Sequence, residues 1–229
     1  MNKIPLVKIC GLTNLRDAKL AAKLGARYLG FIFYKPSLRN IKIENARKIV
    51  QSIKKTFPKV QIVGVFVDAT EKNILKIAQE VQLDLIQLHG KETPALCKKL
   101  KSVGYKVWKA IRVKTVRDLQ RSEKFFTICD GILFDTYIKG KPGGTGKTFD
   151  WSLLYCHPEI VEGSFCKELK FKRPDFFILS GGLNAENISE AKKIVQPDVL
   201  DISSGVEKIP GKKDSKKLQT VFAKLNYSS

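Results

Sequence analysis

The segment Val60-Gln-Ile-Val-Gly-Val-Phe-Val67 is apolar almost throughout, and Tyr28-Leu-Gly-Phe-Ile-Phe33 has the same character. Short segments of this kind, rich in β-branched and aromatic residues, are typical of parallel strands that helices cover on both faces. Neither segment shows the strict alternation of apolar and polar residues that marks a strand with one exposed face. They therefore predict a parallel β-sheet buried inside an α/β protein.

Segments that resemble these two recur along the chain. Most successive starts are 22 to 32 residues apart, which is the length of a strand, a helix and two short loops, and one interval is 45 residues. Eight such units predict a (β/α)8 barrel, and the single glycine in Cys10-Gly-Leu-Thr13 argues against a doubly wound sheet with a glycine-rich first turn. The predicted strands begin near Leu6, Tyr28, Val60, Asp84, Lys106, Asp130, Asp175 and Asp198.

Helix-capping residues stand between these segments. Asn14, with Asp17 three positions later, predicts the start of a helix that ends at Gly25. Thr70 predicts a helix over 71–80, Thr93-Pro94 predicts the start of the next, and Asn184 predicts one over 185–195.

Composition restricts the class of protein. The chain has 229 residues, of which 43% are apolar, enough for one sizeable core, and this apolar fraction excludes a disordered chain. No apolar run approaches the roughly 18 residues of a membrane-spanning helix. We therefore expect one barrel domain over residues 1–229, with no membrane association.

The cysteines and the first residues bear on localisation. Cys10, Cys97, Cys129, Cys156 and Cys166 form an odd set without a Cys-x-x-Cys pair, which fits neither a disulfide framework nor a zinc site. The start of the chain shows no secretory signal. We expect a cytoplasmic protein without a bound metal or cofactor.

The charge is strongly positive, because 42 Lys and Arg residues stand against 22 Asp and Glu residues, a net charge of +20. This charge is compatible with a nucleic-acid partner, with an anionic substrate, or with a basic surface that has no partner. The basic residues are spread over many predicted helices and loops. We therefore expect a small anionic substrate and no nucleic acid, with a nucleic-acid-binding protein as the alternative from another class.

The 45-residue interval predicts a loop and an insertion at about 136–174. Its first part, 139–147, is rich in Gly and Lys and predicts a mobile loop over the mouth of the barrel. Gly146-Lys147-Thr148 resembles the end of a nucleotide-binding P-loop, but Lys141 stands where that motif needs glycine. The second part, 155–173, is an insertion without an assigned role.

Functional groups of a (β/α)8 barrel lie at the carboxyl ends of its strands. This rule selects a short set of candidates: Cys10, Arg39, Asp68, His89, Arg112, Asp135, Ser180-Gly181-Gly182 and Ser203-Ser204-Gly205. The last two segments follow the seventh and eighth strands and consist of small residues, which leave backbone N–H groups open to a ligand. Two such loops at neighbouring strand ends predict a phosphate-binding site.

Cys10 and Asp135 are the candidates for proton transfer. A thiol and a carboxyl group at the mouth of one barrel form a base and an acid that need no metal. A thiol that acts as a base must be held partly as thiolate, and we expect nearby cations or helix N-termini to do this.

Together these residues resemble the phosphoribosylanthranilate isomerase family. The motifs that carry the resemblance run in order from residue 7 to residue 214: Val7-Lys-Ile-Cys-Gly-Leu-Thr-Asn14, Gln87-Leu-His-Gly90, Leu133-Phe-Asp-Thr136, Gly143-Gly-Thr-Gly-Lys-Thr-Phe-Asp-Trp151, Leu179-Ser-Gly-Gly-Leu-Asn184, Asp201-Ile-Ser-Ser-Gly-Val-Glu207 and Pro210-Gly-Lys-Lys-Asp214.

The resemblance implies a barrel of the ribulose-phosphate-binding type that catalyses the Amadori rearrangement of N-(5′-phosphoribosyl)anthranilate in tryptophan biosynthesis. It implies Cys10 as the general base, Asp135 as the general acid and Arg39 as the partner of the anthranilate carboxylate. Gly181, Gly182, Ser203, Ser204 and Gly205 would bind the phosphate. No catalytic role for His89 follows from the resemblance. We expect a monomer or a weak homodimer.

Other sugar-phosphate barrels are the nearest alternatives. The related isomerase of histidine biosynthesis is expected to have an aspartate where Cys10 stands. A dual-specificity aminoaldose isomerase that also serves histidine biosynthesis is a further alternative. A ribulose-phosphate epimerase would need metal-binding histidines at several strand ends, and only His89 is available.

Overall fold

A computed structural model describes residues 4–136, 151–154 and 173–225. Eight parallel strands form a closed barrel in which each strand pairs with its neighbours in sequence and the eighth pairs with the first, as the sequence predicts. Each strand begins within two residues of its predicted start. The strands are β1 (Leu6–Cys10), β2 (Tyr28–Ile32), β3 (Gln61–Phe66), β4 (Leu85–Leu88), β5 (Lys106–Val113), β6 (Gly131–Thr136), β7 (Phe177–Ser180) and β8 (Val199–Ile202).

Seven α-helices lie within the described residues and surround the barrel. They are α1 (Leu15–Lys23), α2 (Ile43–Thr56), α3 (Glu71–Val81), α4 (Pro94–Ser102), α5 (Val116–Ser122), α6 (Ile188–Val195) and α7 (Ser215–Lys224). After β8 the chain forms a short 3₁₀ helix, Ser204–Val206, and then the hairpin strands β9 (Glu207–Ile209) and β10 (Lys212–Lys213).

Three of the predicted helix starts are confirmed. The side chains of Asn14, Thr70 and Thr93 accept hydrogen bonds from backbone N–H groups three residues later, at α1, α3 and α4. Asn14 also donates from Nδ2 to Asp17 Oδ2 at 2.7 Å, which ties the first turn of α1 together.

The predicted start of α6 at Asn184 is wrong, because this helix begins at Ile188 with Asn187 as its N-cap. The Asn184 side chain accepts the N–H groups of Glu186 and Asn187 at 2.7 and 3.2 Å. An asparagine that accepts N–H groups two and three residues on can stabilise a turn as well as cap a helix. The three residues that separate Asn184 from α6 form this turn.

The strands divide their side chains between two layers. Val7 and Ile9 of β1 face the helices and belong to the large apolar core between sheet and helices. Cys10 faces the interior of the barrel, where it belongs to a second cluster with Tyr28 and Trp108. The Tyr28 and Trp108 rings meet edge to face with their centroids 4.8 Å apart. Inward-facing residues at the carboxyl ends of the strands therefore lie at the floor of the barrel mouth.

The predicted mobile loop over 139–147 lies outside the described residues. Most of the predicted insertion over 155–173 does so too. In the part of the 45-residue interval that is described, Trp151–Leu154 form a 3₁₀ helix whose Trp151 and Leu154 pack against the core.

Among the residues that the structure describes, no helix combines the length and the apolar character needed to span a membrane.

The N-cap of α3 gives a direct test of local stability. We expect Thr70→Ala to lower the free energy of unfolding by about 1 kcal/mol, because the Asn73 N–H loses its side-chain acceptor. Urea denaturation of both proteins measures the difference. Lys72→Ala, an exposed change on the same helix, is the control, and an equal loss in both variants would contradict the capping role.

Candidate active site

A cleft opens at the carboxyl ends of the strands, as expected for this fold. Its empty volume, including the open mouth, is about 740 Å³. Of the residues that the sequence predicts for the site, all but Asp68 and Gly205 line this cleft. Those brought together there are Cys10, Arg39, His89, Arg112, Asp135, Ser180, Gly181, Gly182, Ser203 and Ser204.

Cys10 is the last residue of β1 and lies beside Gly30 of β2. A Cβ atom on Gly30 would lie 2.8 Å from Cys10 Sγ, so the glycine makes room for the thiol. Burial raises the pKa of the Cys10 thiol; the ammonium groups of Lys8 and Lys213 oppose this shift, and Asp201 adds to it. The expected cations are present, but burial outweighs them, and the thiol is mainly protonated at neutral pH.

Asp135 is buried on β6, three strands around the barrel from β1. His89 Nε2 lies 3.1 Å from Asp135 Oδ2, and Gln87 Nε2 lies 3.0 Å from His89 Nδ1. The contacts from Gln87 to His89 and from His89 to Asp135 hold the carboxyl group in place in the cleft. Arg112 is paired in register with Asp135 on the adjacent β5 and brings a positive charge to the same wall.

Arg39, in the loop after β2, is held by a carboxylate from the other end of the chain. Its Nε donates to both carboxylate oxygens of Glu207, at 2.9 and 3.0 Å, and its Nη2 donates to Oε2 at 2.6 Å. A planar guanidinium keeps a fixed orientation when one of its edges is hydrogen-bonded to a carboxylate. A ligand in the cleft therefore meets the remainder of this guanidinium in a defined position.

Lys213 completes this cluster beneath the cleft. Its Nζ donates to Glu207 Oε1 at 2.9 Å, to the Cys10 carbonyl at 2.6 Å and to the Ser203 carbonyl at 3.1 Å. Burial raises the pKa of Glu207, but the hydrogen bonds and charges of Arg39 and Lys213 lower it more, so the net shift is downward. Glu207 is therefore ionised. It binds Arg39 directly, and through Lys213 it is connected to the backbone at the ends of β1 and β8.

The loop after β7 has a backbone conformation that favours glycine. Gly181 and Gly182 have φ angles of 92° and 67°, which side chains other than glycine rarely adopt. Asn187 Nδ2 donates to the Gly182 carbonyl at 3.0 Å, which turns this carbonyl toward α6. Ser203 and Ser204 line the cleft at the start of the 3₁₀ helix.

Gly205 has a different role from its neighbours, because it lies behind the lining of the cleft. A Cβ atom at this position would be 2.0 Å from the Leu183 carbonyl oxygen. Glycine therefore allows the loops after β7 and β8 to pack closely against each other.

Asp68 also lies outside the cleft and connects two neighbouring loops. Its Oδ1 accepts the Lys91 N–H at 2.6 Å, and its own N–H donates to Glu92 at 2.9 Å. Glu92 in turn forms a buried ion pair with Lys109 at 2.9 Å. These contacts hold the loop that begins with His89.

Sequence reasoning missed four charged residues of the site: Lys8, Asp201, Glu207 and Lys213. Lys8 and Asp201 each stand inside a short, otherwise apolar strand. Opposite charges in two strands that barrel closure makes neighbours are a signal that the sequence contains. Glu207 and Lys213 follow the last barrel strand, and only the folded hairpin shows that they turn back under the cleft.

In the described ranges 4–136, 151–154 and 173–225, no three His, Cys, Asp or Glu side chains are grouped so that they could hold a metal ion.

Comparison with known protein families identifies relatives of this chain. A family model described as N-(5′-phosphoribosyl)anthranilate isomerase matches residues 7–224. The chain belongs to this family.

Curated members of the phosphoribosylanthranilate isomerase family align over nearly the whole chain. The N-(5′-phosphoribosyl)anthranilate isomerase of Pseudomonas putida is 41% identical over 214 residues, which is 93% of each chain. That of Thermoanaerobacter pseudethanolicus is 41% identical over 219 residues, which is 96% of this chain and 97% of the relative.

Solved structures of the family have the same barrel. The crystal structure of phosphoribosyl anthranilate isomerase from Thermotoga maritima matches with a TM-score of 0.82 at 39% identity, covering 96% of this chain and 98% of the other. A crystal structure of such an isomerase in complex with reduced 1-(o-carboxyphenylamino)-1-deoxyribulose 5-phosphate matches with a TM-score of 0.79 at 38% identity and the same coverage.

The contribution of the Arg39–Glu207–Lys213 cluster to stability can be tested through its dependence on pH. We expect Glu207→Gln to lower the free energy of unfolding at about pH 7 by roughly 3 kcal/mol, because the buried Lys213 ammonium loses its counter-charge. The lowered pKa of Glu207 makes its contribution complete above the pKa of the unfolded chain and lost as pH falls through the folded value. The difference between the two proteins therefore shrinks toward about pH 3.

Urea denaturation of wild type and variant at both pH values measures this difference. Glu44→Gln, an exposed carboxylate change on α2, is the control and is expected to have little effect at either pH. A loss in Glu207→Gln that is the same at both pH values would show that the charge of Glu207 is not what stabilises the cluster.

Proposed function

We propose that this chain is a phosphoribosylanthranilate isomerase of tryptophan biosynthesis, converting N-(5′-phosphoribosyl)anthranilate to 1-(2-carboxyphenylamino)-1-deoxyribulose 5-phosphate. The observation that carries the proposal is that Cys10, Asp135, Arg39 and the two glycine- and serine-containing loops line one cleft. The family's Thermotoga and Pseudomonas members bear the name of this activity.

Asp135 is the proposed general acid of the first step. Its carboxyl group protonates the ribose ring oxygen, the bond between that oxygen and C1′ breaks, and the anthranilate nitrogen forms a Schiff base with C1′. The contact between Asp135 and His89 Nε2 places a second proton-carrying group next to this carboxyl group.

Cys10 is the proposed general base of the second step. Its sulfur removes the proton from C2′, the electron pair moves into the C1′–C2′ bond, and the C1′–N double bond becomes a single bond. The resulting enolamine tautomerises to the ketone. Acid and base come from different strands, so each can act on its own atom of one bound sugar.

The two ends of the substrate have separate partners in this proposal. Arg39, held in place by Glu207, binds the planar carboxylate of the anthranilate ring. The backbone N–H groups of the loops after β7 and β8 bind the phosphate. With both ends bound, the sugar between them lies close to Cys10 and Asp135. Holding the reacting groups together in this way accelerates the reaction.

The reaction needs a small anionic phosphorylated substrate and, in this proposal, no cofactor, nucleic acid or membrane. We place the protein in the cytoplasm; the free thiols of Cys10, Cys97 and Cys129 are compatible with a reducing compartment. We infer a monomer or weak homodimer; the Thermotoga maritima relative is described both as dimeric and in a monomeric form.

Substitution of the two proton-transfer residues tests the function. We expect wild-type protein to convert N-(5′-phosphoribosyl)anthranilate, and Cys10→Ala and Asp135→Asn each to lower kcat by about 10²- to 10⁴-fold, the usual contribution of a general acid or base. Steady-state turnover measures the effect, with circular dichroism to verify folding.

Cys97→Ala is the matched control, since Cys97 is a buried thiol on α4 outside the cleft. It is expected to keep kcat near that of wild type. Near-normal turnover in a folded Cys10→Ala or Asp135→Asn variant would refute the role of that residue. Absence of turnover in wild type would refute the function.

A further inference from the structure

Lys8 is a completely buried lysine inside the barrel, two residues before Cys10 on β1. Since side chains two residues apart on a strand point to the same side, Lys8 lies directly below Cys10 in the barrel interior. The reaction steps described above do not use Lys8. A buried ammonium is costly unless its charge is compensated, so its partners indicate its role.

Asp201 is the first partner of Lys8. The two residues are paired in register between β1 and β8. Lys8 Nζ donates to both carboxylate oxygens of Asp201, at 2.8 and 2.9 Å. Burial lowers the pKa of Lys8, but the charges and hydrogen bonds of Asp201 and Cys10 raise it more, so the net shift is upward and Lys8 is charged.

Cys10 is the second partner of Lys8. An ideal Cβ on Gly30 would lie 2.8 Å from Cys10 Sγ and 3.2 Å from Lys8 Cε, so both side chains converge on the space that this glycine leaves open. An ammonium has three N–H donors. Two reach Asp201, and the Lys8 side chain lies next to the Cys10 sulfur, where its positive charge opposes the upward shift that burial gives the pKa of the thiol.

The other charged groups near Cys10 are arranged differently. Lys213 of β10 donates to the Cys10 carbonyl, and Glu207 of β9 and Arg39 of the loop after β2 are bonded to each other beside it. Neighbouring β2 contributes the uncharged Gly30. Asp135 and His89 are paired on the far side of the cleft. Lys8 is therefore the cation whose side chain converges with the Cys10 sulfur, whereas Lys213 is bonded to the Cys10 carbonyl.

We propose that Lys8 is the positioning residue that provides the positive charge against which Cys10 forms its thiolate, with Asp201 holding the ammonium in place. The proposal rests on the proposed function of Cys10 as general base. When the thiolate takes the C2′ proton it becomes a neutral thiol, and Lys8 keeps its three protons throughout. The ion pair of Lys8 and Asp201 thus sets the fraction of Cys10 that is ready to react.

The rate of alkylation by iodoacetamide tests this proposal without relying on turnover. Only the thiolate reacts, so the rate below the pKa of the thiol is proportional to the thiolate fraction. Mass spectrometry of the peptide that contains Cys10 separates its reaction from that of the other four cysteines.

We expect the two partners of one ion pair to shift the Cys10 rate in opposite directions. At about pH 8, Lys8→Met should slow alkylation of Cys10 by about 10-fold, equivalent to one unit of pKa, because the thiolate loses its cation. Asp201→Asn should accelerate it, because the thiolate becomes the nearest counter-charge of Lys8. Lys212→Met, which removes an exposed lysine on β10, should leave the rate unchanged.

A purely structural role of the ion pair would shift both variants in the same direction, and that result would overturn the proposal. If Lys8→Met does not fold, Asp201→Asn alone decides: faster alkylation supports the proposal, and an unchanged or slower rate overturns it. If Cys10→Ala retains turnover while the opposite shifts are observed, the catalytic role of Cys10 fails and the control of its thiol by Lys8 stands.

Discussion

The parallel pairing of β1 with β8, from Leu6 opposite Val199 to Ile9 opposite Ile202, closes the barrel and joins the two ends of the chain. This pairing places Cys10, the last residue of β1, beside the loop that begins at Ser203, whose Oγ donates to the Cys10 carbonyl at 3.2 Å. The groups proposed for proton abstraction and for phosphate binding are therefore neighbours because the sheet is closed. An open sheet with the same strands would leave them at opposite edges.

Closure also determines where buried charge is tolerated. Lys8 meets Asp201 across the β1–β8 seam, and the β9–β10 hairpin that follows β8 returns Glu207 and Lys213 beneath Arg39. An isolated buried charge is very unfavourable, whereas a paired and hydrogen-bonded one is tolerated and is strongly destabilising to break. These pairs keep cations at the floor of the cleft at the expense of stability that an apolar core would provide. Their value is positional, since a carboxylate holds each cation in a fixed place next to the residues that line the cleft.

The sequence predicts the parts of this architecture that depend on local patterns. Apolar strands such as the one in Val60–Val67 and caps such as Thr70 are determined by neighbouring residues, and they appear where expected. Asn184 shows the limit of such reasoning, because an asparagine side chain stabilises a turn as readily as a helix start. The Lys8–Asp201 pair joins residues 193 positions apart, and no local pattern specifies that contact. Which charges meet is decided by the register of closure and by the path of the final hairpin.

Buried and exposed charged residues have different effects, which the net charge of the composition does not distinguish. The buried charged residues of the described chain are three lysines (Lys8, Lys109, Lys213) and four carboxylates (Glu92, Asp135, Asp201, Glu207), so the net charge of +20 does not originate in the buried interior. Exposed charges act through a field that fades over about 8 Å at physiological salt, and such a field accelerates the encounter with an anion without selecting its shape. Selection requires groups whose orientation is fixed. In the proposed function those groups are the Arg39 guanidinium, held by Glu207, and the turn that contains Gly181 and Gly182 after β7, and neither depends on the overall charge.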